Sequence, residues 1–120
     1  MRITIYHNPG CSKSMKTLTL LESHNIAPTI VEYLSAPPDA ATLLRLAKLL
    51  DVPLASLLRR GEAAYQDAVN AIPLHDDRSL AEWLHEHPSV LERPIVVNEE
   101  RNCAVVGRPP ENVLSLLHDD

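Results

Sequence analysis

Two short strand-like runs, RITIY at 2–6 and APTIVEYL at 27–34, bracket a stretch from Ser12 to about Asn25 in which Met15, Leu18 and Leu21, with Leu20 at the margin, recur at helical spacing. Strand, helix and strand in that order leave few options. The two strands pair in parallel through a helical crossover, and such crossovers are right-handed. RITIY alternates β-branched and polar residues and runs into the turn signal HNPG, whereas SAPPD breaks the second strand. Near the other end, RPIVV (93–97), the turn NEERN and CAVVG (103–107) read as a hairpin. PPENVLSLL (109–117) follows as a helix with proline in its first turn, where the missing N–H costs little. Between these halves, DAATLLRLAKLLDV (39–52) sets Leu43, Leu46, Ala47 and Leu50 on one face behind Asp39 as cap. LASLLRR, EAAYQDAV and SLAEWLHEH then read as short helices, the last capped by Asp76 or Asp77 and stopped before Pro88.

The predicted order is therefore βαβ, a helical insertion over about 39–87, and ββα. It describes one α/β domain over 1–120, a four-stranded mixed sheet flanked by helices, and it is the element order of the thioredoxin-like fold. Composition narrows the function classes. Phe is absent and only one Trp and three Tyr occur, which argues against stacking platforms for single-stranded nucleic acid. A net charge of −5 supplies no basic field toward nucleic acid or anionic membranes. MRITIYHN reads as a strand and not a signal peptide, and no run approaches the roughly 18 apolar residues of a membrane span. The expected location is the cytoplasm, where Cys11 and Cys103 would be reduced thiols.

Cys11 follows a Pro-Gly turn and precedes the first helix, so the free N–H groups and the positive end of the helix dipole point at it. The dipole supplies at most ~2 kcal/mol, about one and a half pKa units, enough to bring a thiol from about 8.5 to near 7. Gly10 allows close backbone approach, and the Ser12 and Ser14 hydroxyls can donate to a sulfur anion or a bound oxyanion. A lone cysteine is ordinarily a small core hydrophobe. Cys103, inside the apolar run CAVV, fits that description, whereas Cys11, flanked by polar residues, does not. Cys11 and Ser14 form Cys-x-x-Ser, so a mixed disulfide at Cys11 has no neighbouring thiol to resolve it and an external thiol is required.

LLRR (57–60), ERPI (92–95) and GRPP (107–110) place arginines at element boundaries in three separate segments of an acidic chain. Guanidinium binds oxyanions through two parallel hydrogen bonds, so together with the helix-end thiol these arginines suggest an oxyanion cradle. Pro94 opens a strand, and its X-Pro bond is a candidate for the cis isomer.

YHNPGCSKS, LLRR, ERPIVV and GRPPE together resemble the glutaredoxin-coupled arsenate reductase family, a thioredoxin-like group, in order and spacing over nearly the whole chain. The resemblance implies Cys11 as nucleophile, Arg59, Arg93 and Arg108 as oxyanion-binding residues, and Pro94 as the cis-proline of the fold. It implies that His7, Asn8 and Ser14 support the thiolate loop. It further implies arsenate as substrate, glutathione as co-substrate, glutaredoxin as the protein that resolves the disulfide, and no bound cofactor. Many relatives carry Arg after the Cys-x-x-Ser motif, where this chain has Met15 and then Lys16. The six histidines (7, 24, 75, 85, 87 and 118) show no metal-ligand spacing, so no metal site is expected. Two other functions fit a chain of this kind: a redox-responsive regulator that binds RNA polymerase, and a general glutathione-dependent thiol reductase.

Overall fold

In the computed structural model, which describes residues 1–117, the N-terminal run forms β1 (Ile3–His7), followed by α1 (Ser12–Ser23) and β2 (Thr29–Glu32). β1 and β2 pair in parallel, Thr4 opposite Thr29 through His7 opposite Glu32. The hairpin forms β3 (Ile95–Asn98) and β4 (Cys103–Val106), and β3 lies antiparallel to both β1 and β4. The sheet order is β2-β1-β3-β4, the mixed four-stranded sheet expected of a thioredoxin-like fold. β1 and β3 are central and almost wholly buried, whereas β2 and β4 are edges.

The alternation of β1 sends Ile3 and Ile5 to one face, where they meet Val96 of β3, Leu18 and Leu21 of α1, and Val113 and Leu116 of the C-terminal segment. The buried stripe of α1 is Ser14, Thr17, Leu18 and Leu21, so Met15, expected on the apolar face, lies outside it and is 42% exposed. Two of the four buried positions are polar because the first turns of α1 face the site and not the core. Asn98 is fully buried. It donates from Nδ2 to the Leu116 carbonyl at 2.9 Å and accepts the Glu100 and Arg101 amides at Oδ1, which fixes the β3–β4 turn to the segment beneath it.

The C-terminal segment is a 3₁₀ helix over Pro110–Leu116 and not the α-helix expected at 109–117. Its buried residues are Pro110, Val113 and Leu116, a spacing of three that matches the three-residue repeat of the 3₁₀ form.

The chain divides into two compact units, residues 1–33 with the chain from 93 onward, and residues 34–92. The insertion read over about 39–87 lies inside the second unit, which is wider at both ends. There Asp39 caps α2 (Ala40–Leu50) by accepting the Thr42 amide at 2.8 Å. Leu43, Leu46 and Ala47 are the buried face of α2, and α2 packs on α4 (Asp77–Glu86), which buries Leu80, Ala81 and Leu84. Asp76 is the N-cap residue of α4 and accepts the Ser79 hydroxyl at 2.6 Å. α3 (Ala63–Ala68) is short.

LASLLRR is not one helix. A 3₁₀ turn over Leu54–Leu57 ends at Leu58, which is extended and bridges Leu91. The Glu92 amide donates to the Leu57 carbonyl at 2.8 Å and the Arg59 amide to the Val90 carbonyl at 2.6 Å. Leu54, Leu57 and Leu58 satisfy helical spacing, but this pairing with a segment more than thirty positions away decides the conformation.

A candidate active site around Cys11

After β1 the chain turns on Asn8. Its carbonyl accepts the Cys11 amide at 3.0 Å and its side-chain oxygen accepts the Gly10 amide at 2.9 Å, an Asx turn that delivers Cys11 to the first turn of α1. Cys11 is the N-cap residue of α1, with extended backbone (φ −104°, ψ 122°), and its carbonyl accepts the Met15 amide at 3.0 Å. Its side chain makes no capping bond and is left for chemistry. A Cβ on Gly10 would lie 3.3 Å from Asn8 Oδ1, so the turn is tight there. Ser12 opens α1 and is exposed.

The Ser14 hydroxyl is buried and committed to the loop. Ser14 Oγ is hydrogen-bonded to Nδ1 of the buried His7 at 2.6 Å and accepts the Asn8 amide at 3.1 Å. It therefore braces the turn and does not point its oxygen at the sulfur, as the sequence suggested. What Ser14 offers Cys11 is its backbone N–H, with that of Lys13 beside it. Burial lowers the pKa of His7, partly offset by the Glu32 carboxylate in register across the sheet.

The two arginines that flank the hairpin converge on the same sulfur. Arg108 Nη2 donates to Cys11 Sγ at 3.5 Å, and its Nε donates to the Arg93 carbonyl at 2.7 Å. Arg93 also hydrogen-bonds Cys11 through its side chain. Burial pushes the Cys11 thiol up. The Ser14 amide, the Arg93 side chain, the Lys13 amide and the charge of Arg108 together outweigh it, and the pKa falls below the ordinary thiol value of 9.0. Backbone N–H groups and guanidinium at a helix mouth are the donors a tetrahedral oxyanion needs, so one arrangement can stabilise a thiolate and orient an anion toward it.

Both arginines precede cis prolines. The Arg93–Pro94 bond is cis, and so is Arg108–Pro109, which the sequence reading did not single out. Gly107 and Thr17 were also missed. Gly107 donates its amide to the Pro94 carbonyl at 2.9 Å, and Thr17 Oγ1 lies within hydrogen-bonding distance of the Lys13 and Gly107 carbonyls at 2.8 and 3.3 Å. A Cβ on Gly107 would stand 2.7 Å from Thr17 Oγ1 and 2.9 Å from Pro94 Cγ. The only sequence signal for this was a glycine directly before Arg-Pro. α1, the Pro94 loop and the Arg108 loop are thus clamped at one point.

Arg59 belongs to the second unit. There its guanidinium is ion-paired with Glu62 at 3.5 Å and with Glu92 at 3.7 Å, and its half-buried side chain is held at the Leu58–Leu91 bridge by its own backbone amide. Cys103 starts β4 opposite Asn98, which pairs with Ile3, whereas Cys11 follows His7 at the other end of β1. At about 3.3 Å per residue, the length of β1 separates them by more than 10 Å, and both are free thiols. Three of the other histidines serve local structure through Nδ1: His24 on the Leu20 carbonyl, His85 on the Pro38 carbonyl, and His87 on the Trp83 carbonyl. His118 lies outside the described residues. Among the described residues no group of three or more His, Cys, Asp or Glu could hold a metal ion, and no helix is long and apolar enough to cross a membrane.

A mixed four-stranded sheet flanked by helices, with a thiol at the mouth of the first helix, is the arrangement of a thioredoxin-like protein. The ArsC family profile matches residues 6–116, and the chain belongs to that family. It is 39% identical over 116 residues to an arsenate reductase of Neisseria meningitidis, covering 96% of this chain and 97% of that protein. It is 41% identical over 117 residues to the uncharacterized protein YfgD of Escherichia coli, covering 97% of each. Among solved structures, an arsenate reductase from Vibrio cholerae superposes with a TM-score of 0.88 at 40% identity, covering 96% of this chain and 97% of that one.

Proposed function

We propose that this protein reduces arsenate to arsenite with thiols as the electron source, through a Cys11–arsenic adduct. The observation that carries the reading is the convergence of Arg93, Arg108 and two backbone N–H groups on one sulfur. The oxyanion is held by the guanidinium groups and the free N–H groups of the α1 mouth, whose charge also favours its approach. The Cys11 thiolate attacks arsenic, and one arsenic-bound oxygen leaves as water.

The remaining steps need thiols from outside, because Cys103 stands at the far end of the sheet. Glutathione displaces a second oxygen as water and joins sulfur to arsenic. A further thiol, that of glutaredoxin, attacks the glutathione sulfur. The sulfur–arsenic electron pair stays on arsenic, which passes from the +5 to the +3 state as a disulfide forms. Water then releases arsenite and restores Cys11. In sum, one arsenic acid and two thiols give one arsenous acid, one disulfide and one water.

Arg59, which the family resemblance adds as a third oxyanion-binding residue, is tested by Arg59→Lys in the same assay. The test of the whole reading is turnover with arsenate, glutathione and glutaredoxin, followed by arsenite production. Arsenate-dependent turnover that disappears in Cys11→Ser is expected. Reduction of model disulfides without any response to arsenate would overturn it.

A further inference from the structure

The buried stripe of α1 carries a hydroxyl where a core-facing helix ordinarily carries an aliphatic side chain. Thr17 is fully buried, and its hydroxyl shares one proton between the Lys13 carbonyl at 2.8 Å and the Gly107 carbonyl at 3.3 Å. The helix gains little from the first bond. A carbonyl four residues earlier is already the acceptor of the backbone amide, and such back-bonding by threonine slightly destabilises a helix. The second bond crosses to the residue directly before Arg108. That stretch is also held by the Gly107 amide on the Pro94 carbonyl, by Arg108 Nε on the Arg93 carbonyl, and by Asn112 Nδ2 on the Arg108 carbonyl. Those bonds run to the Pro94 loop or to the C-terminal segment, and none of them reaches α1. The sulfur that Arg108 faces stands at the mouth of α1. Thr17 therefore joins the two elements whose spacing sets the distance from guanidinium to thiol. Close contact reinforces the bond: a Cβ on Gly107 would meet Thr17 Oγ1 at 2.7 Å and Thr17 Cγ2 at 3.0 Å.

We propose that Thr17 is a positioning residue for the Cys11 site: its hydroxyl fixes Gly107 against α1 and so holds the Arg108 guanidinium on the Cys11 sulfur. It acts through Arg108 and not on the sulfur itself. With this tie cut, Arg108 keeps its charge and its bond to the Arg93 carbonyl, but the loop that carries it is free to move off the helix mouth. A hydrogen bond and a charge both weaken with distance, so the thiolate loses stabilisation. A bound oxyanion would lose one arm of its grip in the same way. That part rests on the function proposed above, whereas the effect on the thiol does not.

The test removes the hydroxyl and keeps the shape. In the Cys103→Ser protein, Thr17→Val should raise the pH midpoint of Cys11 alkylation by iodoacetamide, by part of the rise that Arg108→Ala produces. Thr17→Ser, which keeps the hydroxyl, should stay nearer the parent than Thr17→Val does. Gly107→Ala, which pushes the same joint apart from the other side, should raise the midpoint too. In an Arg108→Ala background, Thr17→Val should leave the midpoint where it is, because the group it positions is gone. A general loosening of α1 would instead move the midpoint in both backgrounds. In turnover with arsenate, Thr17→Val should lower kcat/KM roughly two- to tenfold, the span of one neutral hydrogen bond. An unmoved midpoint in Thr17→Val, an equal rise in Thr17→Ser, or the same rise with and without Arg108 would each overturn the proposal. If Thr17→Val does not fold, Gly107→Ala carries the test, and an unmoved midpoint there overturns the proposal as well. Alkylation needs no arsenate. A shifted midpoint in a protein that does not reduce arsenate would therefore sink the proposed reaction and leave Thr17 its role, and an unmoved midpoint in an active enzyme would do the opposite.

Discussion

Arg108 places Nη2 3.5 Å from the sulfur of Cys11, a residue 97 positions earlier in the chain, and the same guanidinium holds the Arg93 carbonyl through Nε. One side chain thus ties the far end of the hairpin to the mouth of α1 and supplies positive charge where a thiolate forms. Arg108 is both a structural tie and a charge partner, and the two roles separate experimentally.

The thiolate comes first. Alkylation of Cys11 against pH, with Cys103→Ser present, should give a midpoint below the roughly 8.5 of a free thiol, and Arg108→Ala should move it upward. Because the folded value is depressed, the thiolate stabilises the fold. That contribution is complete above 9.0 and is lost as pH falls through the folded value. The stability difference between the Cys103→Ser protein and the same protein lacking Cys11 should therefore grow toward alkaline pH. A pH-independent difference would contradict the assignment.

The two cysteines should behave differently. Cys11→Ser should abolish arsenate reduction, because a hydroxyl cannot form the sulfur–arsenic bond. Cys103→Ser, at the far end of β4 and half-buried against the core, should retain most activity. Comparable losses in the two variants would point to an internal disulfide and against an external thiol.

Arg93→Lys and Arg108→Lys keep the charge and remove the planar fork. If the fork grips the oxyanion, each change should cost about 1.5 to 3 kcal/mol, the range for hydrogen bonds to charged groups. That corresponds to roughly a ten- to hundredfold loss in kcat/KM. Lysine variants with full activity would leave only the general field of the site and rule out the clamp.

Gly107→Ala should destabilise the protein by about 1 to 3 kcal/mol, the usual range for overpacking a tight site. Its new methyl would meet Thr17 and Pro94 at less than 3 Å. Adding Thr17→Ala should recover part of that loss, because it removes the Thr17 atoms in the way, while the contact with Pro94 persists. A double-mutant cycle read by denaturant unfolding measures the recovery. Strict additivity of the two changes would show that Gly107 and Thr17 do not press on one another.

Much of this site was readable along the chain, because its chemistry begins in local structure. HNPGCS contains the turn, the cap position and the thiol within a few residues, and Asp39 could be named as a cap from its neighbours alone. The hairpin and the βαβ unit followed from short-range alternation and spacing in the same way. The errors lie where distant partners compete with local preference. Leu58 left its helical pattern to bridge Leu91, and Met15 left the buried stripe because Ser14 and Thr17 are used by His7 and Gly107.

The sequence by itself determined that a thiol stands at a helix mouth after a strand and that arginines sit at element ends in an acidic chain. Tertiary structure decided which atoms those groups face. The register of β1 with β3, and of β3 with β4, carries Arg93 and Arg108 to the Cys11 end of the sheet and Cys103 to the other. The cause is physical: strand alternation and helical spacing act over a few residues, whereas the direction of a guanidinium 97 positions away is set by sheet pairing and by the absence of a side chain at Gly107.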